Sequence, residues 1–169
     1  MQRDSDGKPA LLNVSGDRLP RRCSISHTRN WLACAFSDVG PIGIDIEVAK
    51  TRDYVATGTW FFGAELGERL VHARPESQRH LFYQAWTAYE ALYKCGVNKR
   101  REMAPLLRNT APQDVPGIAL HWLLGPQQLH ACVAVLTDAV ANTGAVCVFR
   151  FDGVDFAADA RWSETVPAP

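Results

Sequence analysis

The stretch Pro41–Glu47 reads PIGIDIE and places two carboxylates two residues apart among aliphatic side chains. In a β-strand successive side chains point to opposite faces, so Asp45 and Glu47 project from the same face. Ile44 and Ile46 then point the other way, into a core. Two acids directed to one place repel each other unless a cation or a proton lies between them. The pattern therefore predicts a strand with a cation site, and Mg2+, which takes oxygen ligands and leaves positions open for phosphate, is its natural occupant.

The composition is that of a globular protein and bounds the classes of partner. The 169 residues predict one domain over 1–169, and the 47% hydrophobic and 21% charged shares exclude a disordered chain. Lys plus Arg and Asp plus Glu balance at 18 each, so we expect neither a nucleic acid nor a membrane as partner. Five scattered cysteines without a Cys-x-x-Cys pair, and a polar N-terminus, predict reduced thiols and a cytoplasmic location.

The patterns along the chain predict an α+β protein with an antiparallel sheet packed on one long helix. Turn residues at 37–41 predict a hairpin of strands 31–36 and 42–47. The strongest helical periodicity covers 77–95, with Ser77 as N-cap and Gly96 as the C-terminal stop. The other expected elements are a short helix at 64–73, strands at 118–124, 129–136 and 145–151, an irregular lead-in at 1–22 and a loosely packed end at 152–169.

One stripe of the predicted long helix carries Trp86, Glu90 and Lys94 at positions i, i+4 and i+8. The ordinary interpretation of Glu90 and Lys94 is a solvated ion pair contributing about 0.2–0.5 kcal/mol. Alternatively, Glu90 joins Asp45 and Glu47 as a third oxygen ligand and Lys94 meets a phosphate beside the metal. Three carboxylates and a lysine favour phosphate transfer over a hydrolytic zinc site, which prefers histidine and cysteine.

Upstream, the segment Ser24–Thr28 offers hydroxyl and imidazole donors suited to phosphate oxygens, although it is also compatible with a plain polar turn. It lacks the nucleophile elbow of a serine hydrolase, and the chain has no phosphate loop and no dinucleotide fingerprint. A further set of aromatic residues is predicted to be core: Trp60, Phe61, Phe62, Phe82, Trp86 and Tyr89.

Four motifs in this order resemble the 4'-phosphopantetheinyl transferases. They are Gly7-Lys8-Pro9, Ser24-Ile25-Ser26-His27-Thr28, Gly43-Ile44-Asp45-Ile46-Glu47 and Trp86-x-x-x-Glu90-Ala91-x-x-Lys94. The resemblance is to the longer, surfactin-synthetase-activating class. It covers a motif-bearing core of about 7–138 and leaves a C-terminal strand and tail at 139–169. It implies the fold of that family, with pseudo-duplicated α/β halves.

The resemblance implies roles for individual residues. It makes Asp45, Glu47 and Glu90 the Mg2+-binding acids. The residues that it implies for coenzyme A are His27 and Lys94 at the phosphates, Ser26 near the 3'-phosphate and Lys8 on the nucleotide side.

The reaction implied by the resemblance moves the phosphopantetheine arm from coenzyme A to a serine of an acyl, peptidyl or aryl carrier protein, releasing 3',5'-adenosine bisphosphate. Glu90, Lys94 and His27 are its expected catalytic residues. Glu90 is the candidate base, acting directly or through a water on the metal. A basic run at 98–101 either steers an acidic carrier or is a solvated loop.

Two departures from the family pattern leave alternatives open. Ser24 stands where the family usually has Asn, and the chain begins close to Gly-Lys-Pro, so we expect a shortened first half. Either Arg3, Arg21 and Arg22 substitute for basic residues of that half, or a second subunit completes the site, or coenzyme A binds weakly, or the start is misassigned. The protein is then a monomer or a homo-oligomer. A rival hypothesis is a catalytically degenerate relative that binds carrier protein or coenzyme A without transfer, and a third is an unrelated Mg2+-dependent phosphohydrolase.

Overall fold

The computed structural model describes residues 2–3, 7–97, 117–136, 149–151, 156–159 and 161–165. Within these ranges the protein is an α+β structure of antiparallel sheets and helices, as the sequence predicts. Its strands are β1 Gln2–Arg3, β2 Pro9–Ala10, β3 Arg22–Thr28, β4 Trp31–Ser37, β5 Ile42–Val48, β6 Ile118–Gly125, β7 Leu129–Leu136, β8 Phe149–Phe151, β9 Phe156–Ala158 and β10 Ser163–Thr165. Its helices are α1 Tyr54–Phe62, α2 Ala64–His72 and α3 Pro75–Cys95, with a 3-10 turn at Pro126–Gln128.

The centre of the fold is a four-stranded antiparallel sheet in the order β10-β6-β7-β5. Its middle strand, β7, is apolar on both faces, which is typical of a strand covered on both sides. Ala131 and Val133 face a cluster that includes the isoleucines of β5 and Ala35 of β4. Cys132 and Ala134 face the buried side of α3. The sheet is therefore enclosed by α3 on one face and by β4 on the other.

The predicted hairpin of the strands at 31–36 and 42–47 is wrong, although both strands exist. β4 pairs with β3, from Arg22 opposite Ser37 to Thr28 opposite Trp31, whereas β5 pairs with β7. The reason is the tight connection at 29–30, where Arg29 takes a left-handed φ of 48° suited to a two-residue hairpin turn. Residues 38–41 instead carry the chain from one sheet to the next.

Helix α3 confirms the strongest helical prediction, apart from its first turn. Its N-cap is Arg74 and not the predicted Ser77, because Pro75, whose ring fixes φ, begins the helix two residues earlier. Gly96 ends it as predicted, with a left-handed φ of 112°. Helix α1 was not predicted, and its N-cap Asp53 accepts a hydrogen bond of 2.8 Å from the backbone N–H of Ala56.

The aromatic cluster lies where α1 meets α3. Phe61 and Phe62 pack against Trp86 and Tyr89, as the core prediction requires. Trp60 contradicts that prediction because it is 83% exposed. Its position next to Phe61 on α1 turns it away from the contact with α3.

Two described segments of the C-terminal part, 156–159 and 161–165, contain strands where the sequence predicts a loosely packed end. Strand β10 pairs with β6 and extends the central sheet, and the ring of Trp162 lies against Gly125. β8 covers the last three residues of the predicted strand at 145–151, whose other residues lie outside the described part, as does the basic run at 98–101.

The described thiols are Cys23, Cys34, Cys95 and Cys132, and only Cys34 among them is exposed. Of the helices in the described ranges, none combines the length and the apolar character needed to cross a membrane.

Candidate functional site

Strand β5 presents its two acids to α3. Asp45 stands opposite Cys132 of β7 and Glu47 opposite His130, and Cys132 belongs to the cluster under α3. Ile44 and Ile46 belong to the cluster on the other face of the sheet. The alternation expected from the sequence is therefore confirmed. It leaves Asp45 only 5% exposed, whereas Glu47 is half-buried.

Gly43 sets how closely α3 approaches this face. A Cβ atom at Gly43 would collide with the carbonyl oxygen of Ala91 and lie 2.7 Å from the backbone nitrogen of Cys95. The backbone of α3 therefore contacts β5 directly at Gly43, two residues before Asp45 on the same face of the strand. Sequence reasoning missed this role, although a glycine inside a strand signals the close approach of another backbone.

That close approach brings Lys94 onto the carboxylates. Its ammonium donates to Oδ1 of Asp45 at 2.8 Å, to the carbonyl oxygen of Ile44 at 3.0 Å and to Oγ of Ser26 at 3.1 Å. An ammonium has three donors, so these contacts use all of them. Lys94 thus forms a mostly buried ion pair with Asp45. The interpretation of Glu90 and Lys94 as a solvated ion pair on the helix surface does not describe this contact.

The three acids share one electrostatic environment. Burial raises the pKa of Asp45 above its ordinary value, and hydrogen bonding and attraction from Lys94 offset part of that rise. Burial, and then the charge of Asp45, raise the pKa of both Glu47 and Glu90. The charge of Asp45 therefore makes the ionisation of Glu47 and Glu90 more costly, which a cation would relieve.

One atom of the site tests whether a cation fits. Oδ2 of Asp45 is buried and has no hydrogen-bond partner among the described residues. A buried carboxylate oxygen left without a donor is costly, and a hard divalent cation is a suitable partner for it. Within the described ranges, no three His, Cys, Asp or Glu side chains are gathered tightly enough to hold a metal ion in this conformation. The oxygen-only donor set fits Mg2+, and the metal assignment stays a prediction.

Hydroxyl groups of β3 complete the site. Ser26 donates to Oδ1 of Asp45 at 2.9 Å and accepts from Lys94 and from the backbone N–H of Ile46. These bonds use its one donor and both lone pairs, so a contact with the 3'-phosphate would require one of them to break. That contact stays a prediction. Thr28 donates to Oε2 of Glu47 over a longer 3.4 Å.

Two other predicted residues lie at different places. His27 is exposed and, as the neighbour of Ser26 in β3, points to the opposite face of that strand. The ammonium of Lys8 lies 3.5 Å from the position that a Cβ of Gly96 would occupy, at the C-terminal end of α3. The structure therefore brings Lys94 to the acids and leaves His27 and Lys8 at the periphery.

Sequence reasoning also missed two basic residues beyond β5. Burial raises the pKa of Glu47, and the charges of Lys50 and Arg52 offset part of that rise. Tyr83 of α3 fixes the start of this segment by accepting a 2.8 Å hydrogen bond from the backbone N–H of Lys50. In the sequence, the nearness of Lys50 to Glu47, three residues apart, is the signal that could have indicated this interaction.

Comparison with known proteins identifies relatives. The family model of the 4'-phosphopantetheinyl transferase superfamily matches residues 41–149, which contain β5 and all of α3. The chain is 32% identical over 142 residues to the 4'-phosphopantetheinyl transferase HetI of Nostoc sp. (strain PCC 7120), covering 78% of this chain and 58% of that protein.

Shorter matches agree. The chain is 37% identical over 88 residues to the 4'-phosphopantetheinyl transferase Sfp of Bacillus subtilis, covering 52% of this chain and 37% of that protein. It is 32% identical over 91 residues to the 4'-phosphopantetheinyl transferase AcpT of Escherichia coli (strain K12), covering 52% and 44%. The chain spans about half the length of the curated relatives it matches. By the extent of the family match and by these identities, the chain belongs to the 4'-phosphopantetheinyl transferase superfamily.

Proposed function

We propose that this protein transfers the 4'-phosphopantetheine arm of coenzyme A to a serine hydroxyl of a carrier protein, in a reaction that requires Mg2+ and releases 3',5'-adenosine bisphosphate. The observation that carries the proposal is the buried ion pair of Asp45 with Lys94, which leaves Oδ2 of Asp45 without a donor and whose carboxylate charge acts on Glu47 and Glu90. Membership of the superfamily supports the same reaction.

The proposed metal ligands are Asp45, Glu47 and Glu90. A divalent cation bound there would neutralise pyrophosphate charge and act as a Lewis acid. The residues are suited to that role because their mutual repulsion is relieved when a positive charge lies between them.

Lys94 is the proposed fixed positive charge beside the breaking phosphoanhydride bond. All three of its donors are used within the protein, so a phosphate oxygen gains one of them only if Lys94 gives up a present partner. His27 and Lys8 are proposed, as in the family pattern, to contact the phosphates and the nucleotide side.

Glu90 is the proposed base. The carrier serine must lose its proton as its oxygen bonds to phosphorus and the phosphoanhydride oxygen leaves. Glu90, four residues before Lys94 on α3, is proposed to take that proton directly or through a water. A carboxylate has two oxygens, so one can face the cation while the other takes the proton.

Intact-mass spectrometry of an apo carrier protein tests the proposal. Incubation with this protein, coenzyme A and Mg2+ should add the mass of the phosphopantetheine arm and release adenosine bisphosphate, and a chelator should stop both. No mass gain across acyl, peptidyl and aryl carriers would contradict the proposal. Coenzyme A binding without transfer would instead indicate the degenerate relative.

A further inference from the structure

Strands β3 and β5 lie side by side without being joined by a backbone ladder. Both strands are fully described, and they belong to different sheets. The backbone N–H groups of Ile44 and Ile46 face β3, and buried N–H groups need acceptors. Oγ of Ser24 accepts from Ile44 at 3.1 Å, and Oγ of Ser26 accepts from Ile46 at 3.3 Å. Serine side chains thus replace the carbonyl acceptors of a ladder.

These serines belong to a row of hydroxyls at every second residue of β3: Ser24, Ser26 and Thr28, here called the hydroxyl row. All three are buried, on the face of β3 that meets β5. Two members also donate to carboxylates: Ser26 to Oδ1 of Asp45 and Thr28 to Oε2 of Glu47. From the sequence, this segment is either a source of donors for phosphate or a plain polar turn.

The row determines which oxygen of Asp45 is occupied. Ser26 and Lys94 both donate to Oδ1, and Oδ2 is the atom left buried without a donor. A carboxylate held through one oxygen has a fixed orientation, so its second oxygen points in one direction. Hydrogen bonds of this kind behind a ligand orient it and increase its affinity for a metal.

We propose that Ser26 and Thr28 are positioning residues that hold Asp45 and Glu47 in the orientation that binds the cation, while Ser24 only joins β3 to β5. The inference rests on the proposed function, since it takes these two acids as metal ligands.

Ser24 provides the matched control. Like Ser26, it is a buried serine that accepts a backbone N–H of β5, but its bond with Ile44 involves no carboxylate. Ser24→Ala and Ser26→Ala therefore remove equivalent strand-joining bonds, and only the second also removes a donor to Asp45 and an acceptor of Lys94. Thr28→Val removes the hydroxyl at nearly constant volume, and Thr28→Ser keeps it.

The experiment titrates Mn2+, whose free-ion EPR signal is lost on binding, into the full chain with coenzyme A present. Thermal unfolding without metal or coenzyme A is recorded for each variant. We expect Ser26→Ala and Thr28→Val to weaken Mn2+ binding by about tenfold, and Thr28→Ser to restore it. Ser24→Ala should lower the melting temperature while keeping wild-type affinity for Mn2+.

Two results would overturn the inference: wild-type affinity in both Ser26→Ala and Thr28→Val, or a loss in Ser24→Ala as large as in Ser26→Ala. If Ser26→Ala does not fold, the comparison of Thr28→Val with Thr28→Ser decides. If the wild-type protein does not bind Mn2+, the proposed metal site itself is contradicted. The wild-type titration therefore separates failure of the proposed function from failure of this inference.

Discussion

The ammonium nitrogen of Lys94 lies 2.8 Å from Oδ1 of Asp45, joining two residues 49 positions apart in the sequence. The Asp45 side chain is 8% exposed and that of Lys94 28%, so water screens the pair weakly. Asp45 is the most buried of the three acids, and Lys94 is the largest influence that favours its ionised form. The pair is therefore the electrostatic centre of the site.

Removal of Lys94 should destabilise the protein in a pH-dependent way. Lys94→Met leaves a buried charge unpaired, which costs about 3 kcal/mol of unfolding free energy near neutral pH. It also raises the pKa of Asp45 further, so the folded state binds a proton more tightly than the unfolded chain. The lost stability should therefore return as the pH falls through the folded-state pKa of Asp45.

Urea unfolding at about pH 7.5 and about pH 5 measures this effect. The double variant Lys94→Met/Asp45→Asn is the control, and it should recover most of the stability because no buried charge is left. An equal loss for Lys94→Met at both pH values would contradict the account.

A methyl group at Gly43 should separate α3 from β5. In Gly43→Ala the new Cβ meets backbone atoms of Ala91 and Cys95, which cannot rotate away, so we expect a loss of about 3 kcal/mol in unfolding free energy. Because Glu90 and Lys94 move with the helix, Mg2+-dependent transfer should be lost as well.

The control for that substitution is Gly67→Ala in α2. Its Cβ would meet the side chain of Thr59 and no backbone atom of another element, and alanine favours a helix over glycine by about 1 kcal/mol, which offsets part of the clash. Urea unfolding should show a smaller loss of stability for Gly67→Ala than for Gly43→Ala, and the transfer assay should leave Gly67→Ala near the wild-type rate. A Gly43→Ala protein as stable and as active as Gly67→Ala would show that the close contact is unimportant.

His130 should make the protein acid-sensitive. Burial first, and then the charges of His80 and Arg79, lower its pKa from 6.5 to about 4. Below pH 6.5 His130 takes up a proton in the unfolded chain but stays neutral in the folded protein. The stability present above that pH is therefore lost as the pH falls towards 4. The loss amounts to at most about 3 kcal/mol.

Urea unfolding as a function of pH, together with an NMR titration of the His130 ring, tests this. His130→Gln should flatten the dependence in that range, because the variant has no proton to take up there. A titration midpoint of His130 near 6.5 would contradict the burial effect.

Sequence patterns predicted the parts of the fold that depend on local periodicity. Strands β4 to β7 follow alternation and turn residues, and α3 follows apolar spacing up to Gly96. The pairing of strands was not accessible in this way. Alternation gives β4 and β5 a buried face each, but it does not say which strand pairs with β4. The tight turn at 29–30 pairs β4 with β3, and the left-handed conformation of Arg29 in that turn is not predicted by its residue type.

The same division holds for the candidate site. The shared face of Asp45 and Glu47 follows from the geometry of a strand, and the stripe of Glu90 and Lys94 from that of a helix. The family pattern predicted that these two surfaces meet. The close packing over Gly43 and the hydrogen bonds of Ser26 to Asp45 depend on the distance between elements, which periodicity does not contain.

The most direct test of the central claim, that the acids form one metal-dependent transfer site, is the rate of carrier modification by acid variants. Intact-mass spectrometry follows an apo carrier protein with coenzyme A and Mg2+, and circular dichroism confirms that each variant is folded. We predict that Asp45→Asn and Glu90→Gln each slow transfer by about two to three orders of magnitude, while Glu68→Gln, an exposed acid on α2, keeps the wild-type rate. Wild-type turnover in either Asp45→Asn or Glu90→Gln would contradict the account.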